Sequence, residues 1–229
     1  MTTGAALVIG SSGGVGAAVL DRLRSSGRFA EVLGVSRRSD GLDITDEASV
    51  AALAERVGGG TPLDLVFVAT GVLHHGEEPE RSFKAMTAEH LLRDFRVNAV
   101  GPALLAKHLI PLMPRDRRAV FAALSARVGS IGDNRLGGWH SYRASKAALN
   151  MILKTLSVEL ARTHPQAVVA GLHPGTVDSA LSKPFQRGVP PEKLFTPGDS
   201  AGRLLAVLYR LTPADSGGVF AWDGARIPE

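Results

Sequence analysis

The sequence has no cysteine in its 229 residues. That excludes a disulfide framework, a thiolate zinc site and a cysteine nucleophile, and leaves the redox compartment open. Aromatic residues are only 5% of the chain, too few for the stacking platforms of single-stranded nucleic-acid binders. Charge of either sign is not in large excess: 26 Lys and Arg stand against 22 Asp and Glu, a formal net charge of +4, and the basic residues are dispersed. A solvated surface accounts for them, so no nucleic-acid partner is expected. No apolar run approaches the roughly 18 residues of a membrane span. Residues 1–10 carry no basic leader, and the apolar stretch 5–9 is too short for a signal sequence. The expectation is a cytoplasmic protein with no membrane partner.

Apolar residues, at 45%, are enough for an ordinary core, and the length allows one large domain or two small ones. Hydrophobic periodicity alternates between short β-like runs and helical stretches. Strands are expected at residues 5–10, 31–36, 42–44, 63–69, 118–124, 167–172 and 218–222. Helices are expected from Val15 to a C-cap at Gly27, and at 46–57, 87–108, 141–163 and 199–211. Residues 174–197 read as an irregular connection. The alternation predicts an α/β fold: one doubly wound parallel sheet with helices on both faces, spanning residues 1–229 without a second domain.

The first strand runs into Gly10-Ser11-Ser12-Gly13-Gly14-Val15-Gly16. Glycines between a strand and a helix N-terminus permit a tight turn and close approach of backbone amides to a pyrophosphate. The spacing is Gly-x-x-x-Gly-x-Gly, distinct from the commoner Gly-x-Gly-x-x-Gly. At the end of the second strand, an acidic residue would accept bonds from ribose hydroxyls, whereas a cation suits a 2′-phosphate. The chain has Ser36-Arg37-Arg38 there. Arginine forks match phosphate, so NADP(H) is expected in preference to NAD(H).

Tyr142-Arg-Ala-Ser-Lys146 sets a phenol and an ammonium one helical turn apart. A neighbouring cation favours phenolate, so Lys146 is expected to lower the Tyr142 pKa and make it a general acid. With these motifs in place, the sequence resembles the short-chain dehydrogenase/reductase family, whose fold is the Rossmann fold. Gly10, Gly14 and Gly16 match its glycine motif, and Tyr142 and Lys146 its Tyr-x-x-x-Lys. Asn98, in Asn98-Ala-Val-Gly101, matches its helix asparagine. Asp43, followed by Ile44, stands where the family binds adenine, and Pro174-Gly175-Thr-Val177-Asp-Ser179 where it contacts the nicotinamide carboxamide. Residues 127–146 look most like the branch with the C-factor signalling proteins and the sniffer-type carbonyl reductases. The resemblance implies hydride transfer between nicotinamide and a small carbonyl or alcohol substrate, with Tyr142 giving the proton, Lys146 holding the ribose and Asn98 anchoring a relay water.

Two departures stand out. After the fourth strand the family's Asn-Asn-Ala-Gly is replaced by Val68-Ala69-Thr70-Gly71, whose last three residues are still expected against the cofactor. The family's catalytic serine aligns with Ala126, leaving Ser125 one residue earlier as the candidate and Ser130 as a second. Adjacent strand residues face opposite ways, so Ser125 serves only if the strand has already ended. His74-His75 reads as a substrate-side loop rather than a metal site, Trp139 and His140 as pocket or loop packing, and residues 181–196 as a lid. In the helix after Tyr142, Leu149, Leu153, Leu156 and Leu160 form one stripe, and Ala144, Ala148, Met151 and Ile152 a second strip. An arc wider than one core-facing stripe and the family resemblance together imply a homodimer or homotetramer. The alternative function is a dinucleotide-binding signalling protein with incidental turnover.

Overall fold

A computed structural model describes residues 4–74 and 78–229. In chain order the elements are β1 (Ala5–Ile9), α1 (Gly14–Ser26), β2 (Glu31–Val35), α2 (Arg37–Asp40), α3 (Glu47–Gly58), β3 (Leu63–Val68), α4 (Ala88–Phe95), α5 (Gly101–Leu109), β4 (Ala119–Leu124), α6 (His140–Thr163), β5 (Ala167–His173), β6 (Thr176–Val177), β7 (Leu194–Phe195), α7 (Pro197–Arg210) and β8 (Val219–Ala221). Six strands form one parallel sheet in the order β2-β1-β3-β4-β5-β8.

Parallel strands covered on both faces have no wet side, so they read as continuous apolar runs. Alternation then sends neighbouring residues into two cores. Leu7, Ile9, Val66 and Phe121 meet Val50 and Leu53 of α3, Leu105 and Leu109 of α5, and Leu149 and Leu153 of α6. On the opposite face Val8, Phe67, Ala122 and Leu172 meet Val19 and Leu23 of α1 and Leu204 and Leu208 of α7. The chain leaves β1 for β2 on one side and returns through β3 on the other. This reversal opens a crevice at the strand C-termini, where doubly wound sheets bind ligands.

Three expectations are corrected. Residues 42–44 are not a strand. Leu42 and Ile44 are buried, but the backbone turns: Asp43 accepts from the Thr45 amide at 2.9 Å and its own amide donates to Ser49 Oγ at 3.0 Å. Two apolar residues flanking a polar one mimic strand alternation while anchoring a loop. The single helix expected at 87–108 is α4 and α5 joined by a π turn, Arg96–Val100. Pro102 has no N–H to offer the Asn98 carbonyl four residues earlier, and the pitch widens there. The connection 174–197 contains order as well, since β6 pairs in parallel with β7.

Candidate active site

The crevice holds a cavity of about 420 Å³. One wall is the glycine turn. Gly10 has φ +84°, and a Cβ on Gly16 would stand 2.2 Å from the Gly10 carbonyl oxygen, so a side chain at either position would close the turn. α1 then begins at Gly14 with no side-chain cap and no acid in its first turn. Its free amides and positive end point into the cavity, a setting for an anion. Across from it, Ala69, Thr70 and Gly71 line the same space. Thr70 Oγ1 is buried with no hydrogen-bond partner among the described residues, and buried hydroxyls ordinarily have one. A glycine cradle, an uncapped helix and an orphaned hydroxyl fit a pyrophosphate-bearing dinucleotide.

The chemistry sits on α6 and the π turn. Tyr142 and Lys146, one turn apart, are both buried and both line the cavity, with Lys146 Nζ 5.9 Å from the Tyr142 ring centre. Lys146 Nζ donates to the Leu124 carbonyl at 2.9 Å. Burial lowers its pKa to about 8, although Asp94 pulls the other way. Asn98 is fully buried. Its Oδ1 accepts from the Val72 amide at 2.9 Å, and its Nδ2 donates to the Val72 carbonyl at 2.8 Å and to Ser145 Oγ at 3.0 Å. The asparagine thus clasps the chain just after β3 and ties it to α6. A Cβ on Gly71 would stand 3.4 Å from both Asn98 Oδ1 and Lys146 Nζ, so the two side chains converge. π turns recur at functional sites, and this one carries the asparagine.

The family model for short chain dehydrogenase matches residues 4–189. The chain belongs to that family. It is accordingly an oxidoreductase working with a nicotinamide dinucleotide on a small molecule. Among curated relatives, 1-hydroxy-2-glutathionyl-2-methyl-3-butene dehydrogenase of Rhodococcus sp. (strain AD45) is 34% identical over 186 residues, covering 80% of this chain and 76% of that one. The C-signal of Myxococcus xanthus is 34% identical over 139 residues, covering 60% and 78%. Among solved structures, the carbonyl reductase Sniffer of D. melanogaster superposes with a TM-score of 0.85 at 22% identity, covering 100% of both chains. At that identity the likeness establishes the fold.

In this short-chain dehydrogenase the remaining sequence-predicted residues divide. Pro174, Gly175, Val177 and Ser179 line the cavity with Val15. Ser11 is half-buried and Ser12 exposed on the turn. Arg37 and Arg38 are exposed in the first turn of α2, whose N-cap Ser36 accepts from Ser39. Neither has an ion pair among the described residues. Bonds from Thr45 hold the Asp43 carboxyl below its ordinary range, with Arg37 and Arg96 adding to the effect. Ile44 is turned into the core against Gly101.

Two site expectations are corrected. Lys146 does not bring the phenol down: burial, reinforced by Asp94, pushes Tyr142 above its ordinary value of 10.0, so the side chain is a protonated phenol. Ser125 does not reach Tyr142. Its hydroxyl donates to Asn150 Oδ1 at 2.6 Å, while its amide still pairs with the Leu172 carbonyl at 2.8 Å. Sheet pairing therefore continues through Ser125, and alternation turns Ala126 toward Tyr142, where it packs with Leu73. Ser130 Oγ accepts from the Asp133 amide at 3.1 Å. His74 contacts the Phe185 ring and the Ala180 carbonyl, so the loop after β3 meets residues 180–185. His75 lies outside the described residues.

Sequence reasoning missed Glu80 and His173. The Glu80 carboxylate accepts from the Ser141 amide and hydroxyl, supplying the cap that Trp139, the α6 N-cap residue, lacks. Burial is the largest influence and acts to raise its carboxyl, but the Ser141 bonds, its own backbone amide and His90 together leave it below its ordinary range. Nothing in the sequence near Glu80 signals this. His173 ends β5 inside the cavity wall, and burial lowers its pKa to about 4, leaving a neutral imidazole. Its place directly before Pro174-Gly175 was the available signal.

Proposed function

We propose that the protein is an NADP(H)-dependent reductase of ketones or aldehydes, built as one domain. The observation that carries this reading is the convergence of Tyr142, Lys146 and Asn98 on a cavity faced by the uncapped N-terminus of α1. A bound nicotinamide supplies the hydrogen and electron pair that reach the carbonyl carbon. Tyr142, kept protonated by burial, gives its proton to the carbonyl oxygen. Lys146 holds the nicotinamide ribose. Asn98 fixes the loop after β3 and anchors a water behind Lys146. Gly10, Gly14 and Gly16 hold the pyrophosphate, Asp43 and the backbone of Ile44 the adenine end, and residues 174–179 the carboxamide. Arg37 and Arg38, exposed and without ion pairs among the described residues, take the 2′-phosphate. NADPH-bound carbonyl reductase from chicken fatty liver, a fold neighbour with a TM-score of 0.83, is in keeping with that choice.

Met151 and Val158 on α6, 66% and 54% exposed, continue the apolar arc beyond the core-facing stripe. We assign that face to a homodimer or homotetramer contact. A second functional reading, a dinucleotide-binding regulator, is favoured by Ala126 standing beside Tyr142 where the family has a hydroxyl. Tyr142→Phe separates the two. General acid catalysis is worth roughly 10²–10⁴-fold, so NADPH-dependent carbonyl turnover should fall at least a hundredfold with dinucleotide affinity kept. Unchanged turnover in the variant refutes the role of Tyr142. Tight NADPH binding with no turnover of any carbonyl by the wild type favours the regulator.

A further inference from the structure

We infer that Trp139, locked in a left-handed turn, and Phe185 are the specificity-determining pair of the pocket, and that they select uncharged, flat, apolar carbonyl compounds, aryl ketones and aryl aldehydes. The inference rests on the reductase reading above and deepens it.

Trp139 is the one non-glycine residue with positive φ among the described residues, at φ +51° and ψ +44°. A bulky side chain seldom occupies that region, and such strain persists only where the surroundings over-determine it. They do so here. Gly137 and Gly138 precede it at φ +65° and +67°, so three successive residues are left-handed. The Arg143 guanidinium binds the turn from inside, donating to the Gly138 carbonyl at 3.0 Å, the Gly137 carbonyl at 3.2 Å and the Val128 carbonyl at 3.3 Å. The Trp139 amide donates to the Glu80 carbonyl. Arg143 is therefore a positioning residue for Trp139.

The locked turn points the indole at the reacting group. Its ring lies 6.3 Å from the Tyr142 ring at 70° and 5.1 Å from the Phe185 ring at 61°, both edge-to-face arrangements that aromatic rings prefer. Phe185 in turn meets His74 at 5.8 Å. A continuous aromatic wall thus leads outward from the phenol, with Leu73 and Val128 packed against it. A substrate whose carbonyl oxygen meets Tyr142 must lay its substituent along this wall.

Charge selects by absence. Among the described residues no Asp or Glu lines the cavity, so no carboxylate among them answers a cationic amine. Of the two cations that line it among the described residues, Arg127 pairs with Asp133 at 3.0 Å and Lys146 is taken by the nicotinamide ribose in the reading above, so neither is left for a substrate carboxylate.

The test compares acetophenone with 2-octanone, ketones of equal carbon number and different shape, using NADPH and the full chain. The wild type should show a kcat/KM ratio of about tenfold or more in favour of acetophenone. Trp139→Gly deletes the ring while relaxing the turn, and Phe185→Ala removes the facing ring from another segment. Each should bring the ratio close to one, whereas Trp139→Phe should restore most of it. A wild-type ratio near or below one, or a ratio unmoved in both variants, overturns the inference and leaves the reductase reading intact. No NADPH oxidation by the wild type with either ketone or with small aldehydes overturns the reductase reading itself, and this inference with it.

Discussion

Lys146 should make the protein less stable than it could be. Its side chain is only 3% exposed, no carboxylate lies within ion-pair distance among the described residues, and its pKa falls from 10.5 to about 8. A lysine that binds its proton more weakly folded than unfolded favours the unfolded chain. The penalty is full below about pH 8, shrinks as pH rises, and is gone above about pH 10.5, where the lysine is neutral in both states. At about 1.4 kcal/mol per tenfold change in proton affinity, the pKa drop corresponds to about 3 kcal/mol. Lys146→Met keeps the length of the side chain and removes the buried charge. It also strips the Leu124 carbonyl of its donor, which costs roughly 1–3 kcal/mol. The net gain at pH 7 should be about 1 kcal/mol, or roughly 2–4 °C in Tm for a chain of this size. Thermal unfolding of cofactor-free protein, followed by circular dichroism at pH 7 and pH 10.5, measures it. The variant should be the more stable at pH 7 and the less stable at pH 10.5, and should have lost turnover at both. A difference in Tm that does not change between the two pH values would refute the reasoning.

Arg37→Asp should reverse the cofactor preference by replacing a phosphate partner with a ribose-hydroxyl acceptor. KM for NADPH should rise at least tenfold while KM for NADH holds or falls, and equal wild-type constants for the two would sink the argument. Ser125→Ala removes a hydroxyl that the structure engages with Asn150. It should cost about 1 kcal/mol of stability and leave kcat within roughly threefold, since Ala126 rather than Ser125 faces Tyr142. A hundredfold drop in kcat would show that Ser125 swings to the substrate.

Much of the fold was legible because local patterns carry it. The strand at 5–9 and the helix closed by Gly27 follow from an apolar run, a glycine turn and a left-handed C-cap. Residues 42–44 misled because burial of Leu42 and Ile44 around a polar residue has the same period as a strand, and only the bonds made by Asp43 show the turn. The helix around Asn98 misled for a different reason: helical periodicity survives a π turn, and the break shows only in Pro102, whose missing N–H leaves the Asn98 carbonyl unserved.

The sequence by itself determined the alternation of strands and helices behind the parallel sheet, the glycine turn, the spacing of Tyr142 and Lys146, and the family, because each shows in residues close together along the chain. Only the tertiary structure decided the protonation of the site and its shape. Tyr142 is raised rather than lowered because it is buried, with Asp94 adding to the effect, and burial is a property of the whole fold. Ser125 lines the cavity but gives its hydroxyl to Asn150, because sheet pairing with β5 runs one residue further than the local sequence announces. The cap on α6 comes from Glu80, and the aromatic wall joins His74, Trp139, Tyr142 and Phe185 from three separate segments. Such contacts have no sequence spacing to reveal them, since they exist only once the strands have brought their C-terminal ends to one crevice.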